Sequence, residues 1–171
     1  IGFEIEQKNI RSYYIYEKDL EHNIVGLYEM NDYCGTRVAS YIYDAYGNHK
    51  VLDKNKEENK AKNFIGNMNP IRYKGYYYDI ETNLFLITSR YYSPELGRFI
   101  QPANLSSLKP SSINGLNLYS YANNNPIGIA YNSSGASFGA GGGMVSSLSL
   151  GELSSVGNNL GYSNSFNIFA G

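Results

Sequence analysis

The feature that most constrains this chain is a spacing. An aspartate that closes an aromatic-rich run, with an asparagine four residues later, recurs in YEKDLEHN (16–23), YIYDAYGN (41–48) and YYYDIETN (76–83). The anchoring pairs are Asp19 and Asn23, Asp44 and Asn48, and Asp79 and Asn83. A weaker copy, YYSPELG (91–97), keeps the double tyrosine and the glycine. Each copy fits one unit: a Tyr-rich strand, a tight turn and an apolar strand. Aspartate opens such a turn because its carboxylate accepts nearby backbone N–H groups. Asn or Gly closes it because both tolerate positive φ. The apolar strands follow in NIVGLY (23–28), LFLITSRYY (84–92) and RFI (98–100). Gly47, Gly75, Gly97 and Gly115 are expected at turns or close backbone approaches, and Pro70, Pro94, Pro102 and Pro126 at loop corners.

The pattern predicts an all-β fold of successive antiparallel hairpins, followed by a short plug of loop and helical turn and a Gly/Ser-rich tail. The 18 tyrosines support it, since a tyrosine ring packs on a pleated surface while its hydroxyl reaches a partner. Ile71-Arg72-Tyr73-Lys74 alternates as a strand with one wet face does. In β-rich 38–43 both faces carry apolar bulk, Val38, Ser40 and Ile42 against Ala39, Tyr41 and Tyr43, which predicts contact on two sides or a Tyr-lined inner surface. Residues 53–63 (DKNKEENKAKN) read as a solvated mixed-charge loop, and 115–121 as a helical turn ended before Pro126. The chain divides into hairpins (1–100), a plug segment (101–135) and a low-complexity tail or junction to a variable C-terminal region (136–171). Opening on Ile1 and closing in Gly and Ser, it reads as a piece of something longer.

Composition narrows the chemistry. A formal charge of −1 lacks the basic footprint of a nucleic-acid binder. Cys34 is the single cysteine, so an internal disulfide is impossible, and His22 and His49, the two histidines, read as surface loop residues rather than ligands. No metal, no cofactor and no membrane span are expected. The tail from 136 onward carries Glu152 as its one charged side chain and no histidine, which leaves general acid–base work almost nothing to use.

NIVGLY with VASYIYDAYGNHKV (38–51) resembles a YD (Rhs) repeat, and NPIRYKGYYYDIETNLFLITSRYYSPELGRFIQP (69–102) followed by NGLNLYSYANNNPIGIAY (114–131) resembles the Rhs repeat-associated core of polymorphic toxins and Tc-toxin C components. The core-like positions are Arg72, Tyr73, Gly75, Tyr91, Tyr92, Gly97, Arg98, Phe99, Asn117, Tyr119, Tyr121, Asn125 and Pro126. The resemblance implies a β-strip that forms part of a hollow cocoon shell, secreted or on the bacterial cell surface. The implied partners are the remaining Rhs shell of the parent chain, a C-terminal toxin payload and its immunity protein.

The family core often cleaves itself with two aspartates and an arginine. Two close carboxylates share a proton, so one serves as acid while the other serves as base. Carried over position by position, the arginine is Arg90, the first aspartate is replaced by Ala103, and the second by Tyr131 or, with one insertion, Asn132. The expectation is a degenerate autoprotease with no catalytic residue of its own. Two other classes compete with the structural one: an aspartic-type autoprotease rescued by other acids, and a carbohydrate- or cell-surface-binding module. The second requires Tyr13, Tyr41, Tyr43, Tyr76 and Tyr78 in one exposed row, whereas packing between hairpins makes them part of a wall.

Overall fold

The computed structural model describes residues 2–7, 10–31, 34–111, 114–131, 137–139 and 165–169. It is all-β and antiparallel, as the repeat spacing predicts. Two compact units divide the chain: residues 1–42, 50–75 and 148–171 form one, and residues 43–49 and 76–147 the other.

The first unit is built on β1 (Gly2–Gln7), β2 (Ile10–Lys18), β3 (Ile24–Met30), β4 (Gly35–Tyr43) and β5 (His49–Leu52), which lie side by side in chain order. Period-two alternation sets the buried face. Phe3 and Ile5 of β1, Tyr14 and Tyr16 of β2, Leu27 of β3, Ala39 and Tyr41 of β4 and Val51 of β5 are all buried. Of the two arrangements expected for 38–43, the tyrosine-lined inner face is the one present: Ala39 and Tyr41 are buried while Ile42 is 57% exposed. A register shift where β3 crosses from Leu27 to Tyr28 pairs Leu27 with Ala39 and Tyr28 with Arg37, which leaves Val38 as the extra residue of a bulge.

A single-turn helix, α1 (Ile65–Met68), precedes Asn69, a fully buried amide that organises the core. The Tyr16 hydroxyl donates to Asn69 Oδ1 (2.9 Å), Asn69 Nδ2 donates to the Tyr41 hydroxyl (3.1 Å) and to the Ile71 carbonyl (2.7 Å), and the Tyr41 hydroxyl donates to the Gly66 carbonyl (2.8 Å). Burial pushes the Tyr41 phenol up to about 12, against the smaller opposing pull of the Arg72 charge and the Asn69 hydrogen bond. Burial also raises Tyr16 well above the ordinary tyrosine value.

The strand expected at Ile71–Lys74 is a correction. Ile71, Arg72 and Tyr73 are all buried, and Tyr73–Gly75 is a 3-10 turn in which Lys74 has φ 50° and Gly75 φ 75°. Arg72 turns inward because two carbonyls receive it: Nε donates to Asn69 (3.0 Å) and Nη2 to Asn67 (2.7 Å). A buried cation is tolerated only where such acceptors replace water.

The second unit carries β6 (Tyr77–Asp79), β7 (Leu84–Ile87), β8 (Arg90–Ser93) and β9 (Arg98–Phe99) in one four-stranded meander. A further pair, β10 (Ile129–Tyr131) and β11 (Ser137–Gly139), stands apart. The segment expected as a helical turn, 115–121, makes two hydrogen-bonded turns rather than a helix, closed by the Asn117 N–H on the Asn114 carbonyl (2.9 Å) and the Ser120 N–H on the Asn117 carbonyl (3.2 Å). A 3-10 turn follows at Ala122–Asn124, and it is left-handed, with φ of 46°, 50° and 61°. Three residues there share the αL region, which asparagine tolerates better than other non-glycine residues. The last strand, β12 (Ser165–Phe169), pairs antiparallel with β1 in the first unit; the rest of the tail from 140 onward lies outside the described residues.

Candidate functional site

The aspartate turns share a built geometry. Asp19 Oδ1 accepts the backbone N–H of Glu21 (2.9 Å) and of Asn23 (2.8 Å), while Asn23 Nδ2 donates to Asp19 Oδ2 (2.7 Å). Asp44 repeats this with Tyr46 (2.8 Å), Asn48 (3.0 Å) and the Asn48 amide (2.7 Å). The left-handed residue is the one before the asparagine: His22 at φ 65° and Gly47 at φ 92°. The asparagine therefore earns its place as a side-chain clasp, not by positive φ. Asp79 differs: Asn83 itself is left-handed (φ 58°), its Oδ1 accepts from the Tyr78 hydroxyl (2.9 Å), and Thr82 Oγ1 replaces the amide on Asp79 Oδ2 (2.8 Å).

Sequence reading missed a further turn of the same kind. Within the charged run, Asp53 Oδ1 accepts from Asn55 (2.8 Å) and Glu57 (3.2 Å), with Lys56 at φ 64°. The available signal was an aspartate at the end of the apolar Val51-Leu52, with Glu57 standing where the other copies carry asparagine.

Each clasp also reaches a core-like segment of its own unit. Asn23 Oδ1 accepts the Lys74 N–H (2.8 Å), beside Gly75. Asn48 Nδ2 donates to the Pro94 carbonyl (3.1 Å), and the Tyr92 hydroxyl donates to the Tyr46 carbonyl (2.7 Å). Gly97, at φ 64°, leaves room for the Tyr46 ring, which a Cβ there would meet at 3.2 Å.

The core-like residues separate into two groups. Arg72, Tyr73 and Gly75 belong to the first unit, and the others to the second. In the second, the cross-strand pairs Tyr78–Phe85, Phe85–Tyr92 and Tyr92–Phe99 place one ring per strand on a single buried face. Ring centroids along this ladder are 4.8, 6.5 and 5.8 Å apart, and Tyr121 closes on Tyr92 at 4.2 Å. Aromatic cross-strand pairs of this kind contribute beyond area burial. His49 joins the ladder edge-on to Tyr78 at 4.7 Å, so it is a packed strand residue rather than the surface loop residue expected; His22 is exposed in its turn.

Arg90 and Ala103 come together on one atom. Arg90 Nη1 (3.3 Å) and the Ala103 N–H (2.8 Å) both donate to the Leu118 carbonyl. The Arg90 guanidinium also lies 3.6 Å from the centre of the Phe99 ring. Phe99 N–H donates to the Tyr119 carbonyl (3.0 Å), and Arg98 covers the Tyr119 ring at 4.8 Å. Asn117 Oδ1 accepts from Tyr119 N–H (3.1 Å), Asn125 Oδ1 accepts from Gly128 N–H (3.1 Å), and Pro126 is buried. Tyr91 N–H donates to Gln101 Oε1 (2.7 Å). Tyr131 lies in β10 opposite Ser137, and Asn132 falls outside the described residues. Among the described residues, no group of three or more His, Cys, Asp or Glu is placed to hold a metal, and no helix is long and apolar enough to cross a membrane.

The tyrosines proposed as an exposed row do not form one. Tyr41 (3%) and Tyr78 (8%) are buried, Tyr43 and Tyr76 are half-buried, and Tyr13 is 42% exposed.

No family model matches the chain. The tRNA nuclease WapA of Bacillus subtilis (strain 168) is 35% identical over 116 residues, 67% of this chain and 4% of that protein. A tRNA(Glu)-specific nuclease WapA of Bacillus subtilis subsp. natto is 34% identical over the same length. The crystal structure of TcdB2-TccC3 matches 71% of this chain and 5% of its own, at 25% identity and a TM-score of 0.50. The chain is related to the Rhs-type toxins. A Photorhabdus luminescens Tc holotoxin pore shares the fold over 82% of this chain and 6% of its own, with a TM-score of 0.57 at 22% identity. The Rhs-related chain spans about 4% of the length of the WapA relatives.

Proposed function

We propose that this chain is a structural piece of an Rhs-type toxin's shell wall, ending in a core that does not cleave itself. The observation that carries the reading is the meeting of Arg90 and Ala103 on the Leu118 carbonyl. In the family mechanism the position of Ala103 supplies a carboxyl group; here it supplies a methyl group and a backbone N–H. Without a carboxyl pair, a shared-proton mechanism has no proton carrier. Arg90 then serves structure, holding Leu118 and stacking on Phe99.

The shell role is supported by the aromatic ladder, which ties successive strands together ring by ring, and by the clasped turns, which fix each hairpin. On this reading the chain works secreted or at the cell surface, encapsulating or displaying a variable segment. Its partners are the rest of the Rhs shell, a toxin payload and the matching immunity protein.

The test is self-cleavage. Purified chain, incubated and followed by intact mass, should remain a single full-length species. A defined cut between Tyr131 and Phe138 that Arg90→Ala abolishes would overturn the proposal.

A further inference from the structure

The outer edge of β1 is a row of backbone donors and acceptors, and such an edge pairs with any compatible extended chain. Here it is occupied by β12. The register sets Phe169 against Gly2, Ile168 against Phe3, Asn167 against Glu4, Phe166 against Ile5 and Ser165 against Glu6. Phe3 and Ile5 are the buried positions of β1, at 0% and 4% exposure. Their register partners Ile168 and Phe166 are apolar. Glu4 and Glu6 are turned the other way, where both approach Arg11 (3.4 and 3.5 Å), and their register partners are Asn167 and Ser165. Four of the five register pairs thus match in polarity, apolar with apolar at Phe166 and Ile168 and polar with polar at Ser165 and Asn167, while Phe169 stands opposite Gly2. A shift of one residue would set Asn167 against Phe3 or Ile5 and Phe166 against Glu4 or Glu6.

We infer that the β1 edge is a peptide-accepting site that works by strand addition, and that Ser165–Phe169 is its built-in occupant. The ligand class is an extended peptide with apolar residues at alternate positions, set to meet Phe3 and Ile5. Main-chain hydrogen bonds supply affinity and the alternating side chains supply selectivity. Because the occupant is tethered to the same chain, it outcompetes a free peptide of the same sequence through its effective concentration. The segment therefore keeps the edge closed against other strands.

The test uses the full chain and a fluorescent synthetic peptide, Ser-Phe-Asn-Ile-Phe. The double variant Phe166→Asp, Ile168→Asp removes the tethered competitor and should bind the peptide at least about tenfold more tightly than the unmodified chain does. A peptide of the same composition with its three apolar residues consecutive should not bind. Equal binding to both chains, binding to neither, or equal binding of the two peptides would overturn the inference. Should the double variant lose its sheet, the unmodified chain carries the test by amide hydrogen exchange. Saturating peptide should speed exchange in 165–169 while leaving β1 protected; no change in 165–169 would overturn the inference.

Discussion

The Tyr92 ring lies 4.2 Å from that of Tyr121, centre to centre, and its hydroxyl donates to the Tyr46 carbonyl at 2.7 Å. Tyr92 is fully buried, so one side chain serves both as the middle rung of the aromatic ladder and as a tie to the Asp44 turn. The two roles separate by substitution. Tyr92→Phe keeps the ring and should cost about 1 kcal/mol. Tyr92→Ala removes the rung and should cost about 3–5 kcal/mol. Urea unfolding followed by far-ultraviolet circular dichroism measures both.

The Asp19 and Asp44 clasps should not be equally important. Asn23 is buried and spends its carbonyl oxygen on Lys74 N–H, whereas Asn48 is exposed. Removing a partner from a buried donor costs more than removing it from a solvated one. Asn23→Ala should therefore cost about 2 kcal/mol and Asn48→Ala about 1 kcal/mol or less. Equal losses in urea midpoints would contradict this ranking.

Thr88 begins the two-residue turn between the paired Ile87 and Arg90, and it sits at φ 57°. A β-branched residue is strained there. Thr88→Gly should relieve that strain and raise stability by about 0.5–1 kcal/mol, net of the glycine's greater unfolded-state freedom. A rise in the thermal midpoint is the readout.

Gly66 is packed so closely that a Cβ would lie 2.7 Å from Val51 Cγ1 and 2.8 Å from Ala39 Cβ. Gly66→Ala should cost about 1–3 kcal/mol by overpacking, despite the better helix propensity of alanine. A stabilised Gly66→Ala variant in thermal unfolding would show that the contact yields.

Tyr41 predicts an alkaline limit. Its phenol titrates near 10 when unfolded and at about 12 in the fold, so the folded state holds the proton over that interval. Stability from this group is complete below pH 10 and is lost as pH rises toward 12. The loss amounts to about 2–3 kcal/mol. Tyr41→Phe should flatten the fall in unfolding free energy between those pH values, even though it starts from a lower plateau.

What could be read from the sequence was local. Asp19 and Asn23 are four residues apart and their clasp is made within that span, so spacing alone pointed to the turn. Asp53 escaped because lysines surround it and glutamate replaces the asparagine. Arg72 was misread because Ile71-Arg72-Tyr73-Lys74 alternates like a strand, while the carbonyls that draw the guanidinium inward belong to Asn67 and Asn69. The meeting of Arg90 with Leu118 joins residues 28 apart, and no period in the sequence reports such a contact. Nothing about an alanine announces the left-handed Ala122; the turn it starts is closed by Asn124 and Asn125 N–H groups reaching Tyr121 and Ala122.

The carboxylate anchor leaves the tips of these loops chemically free. Asp19 and Asp44 organise their loops from the first position, so the residues between anchor and clasp need only permit the backbone path. In one loop that freedom is left unused, with Leu20 wholly in solvent. In the other it is taken up by Tyr46, whose hydroxyl reaches the Asn124 carbonyl at 3.2 Å and whose ring lies over Gly97. A scaffold that separates holding a bend from decorating it can change what the bend touches without refolding it.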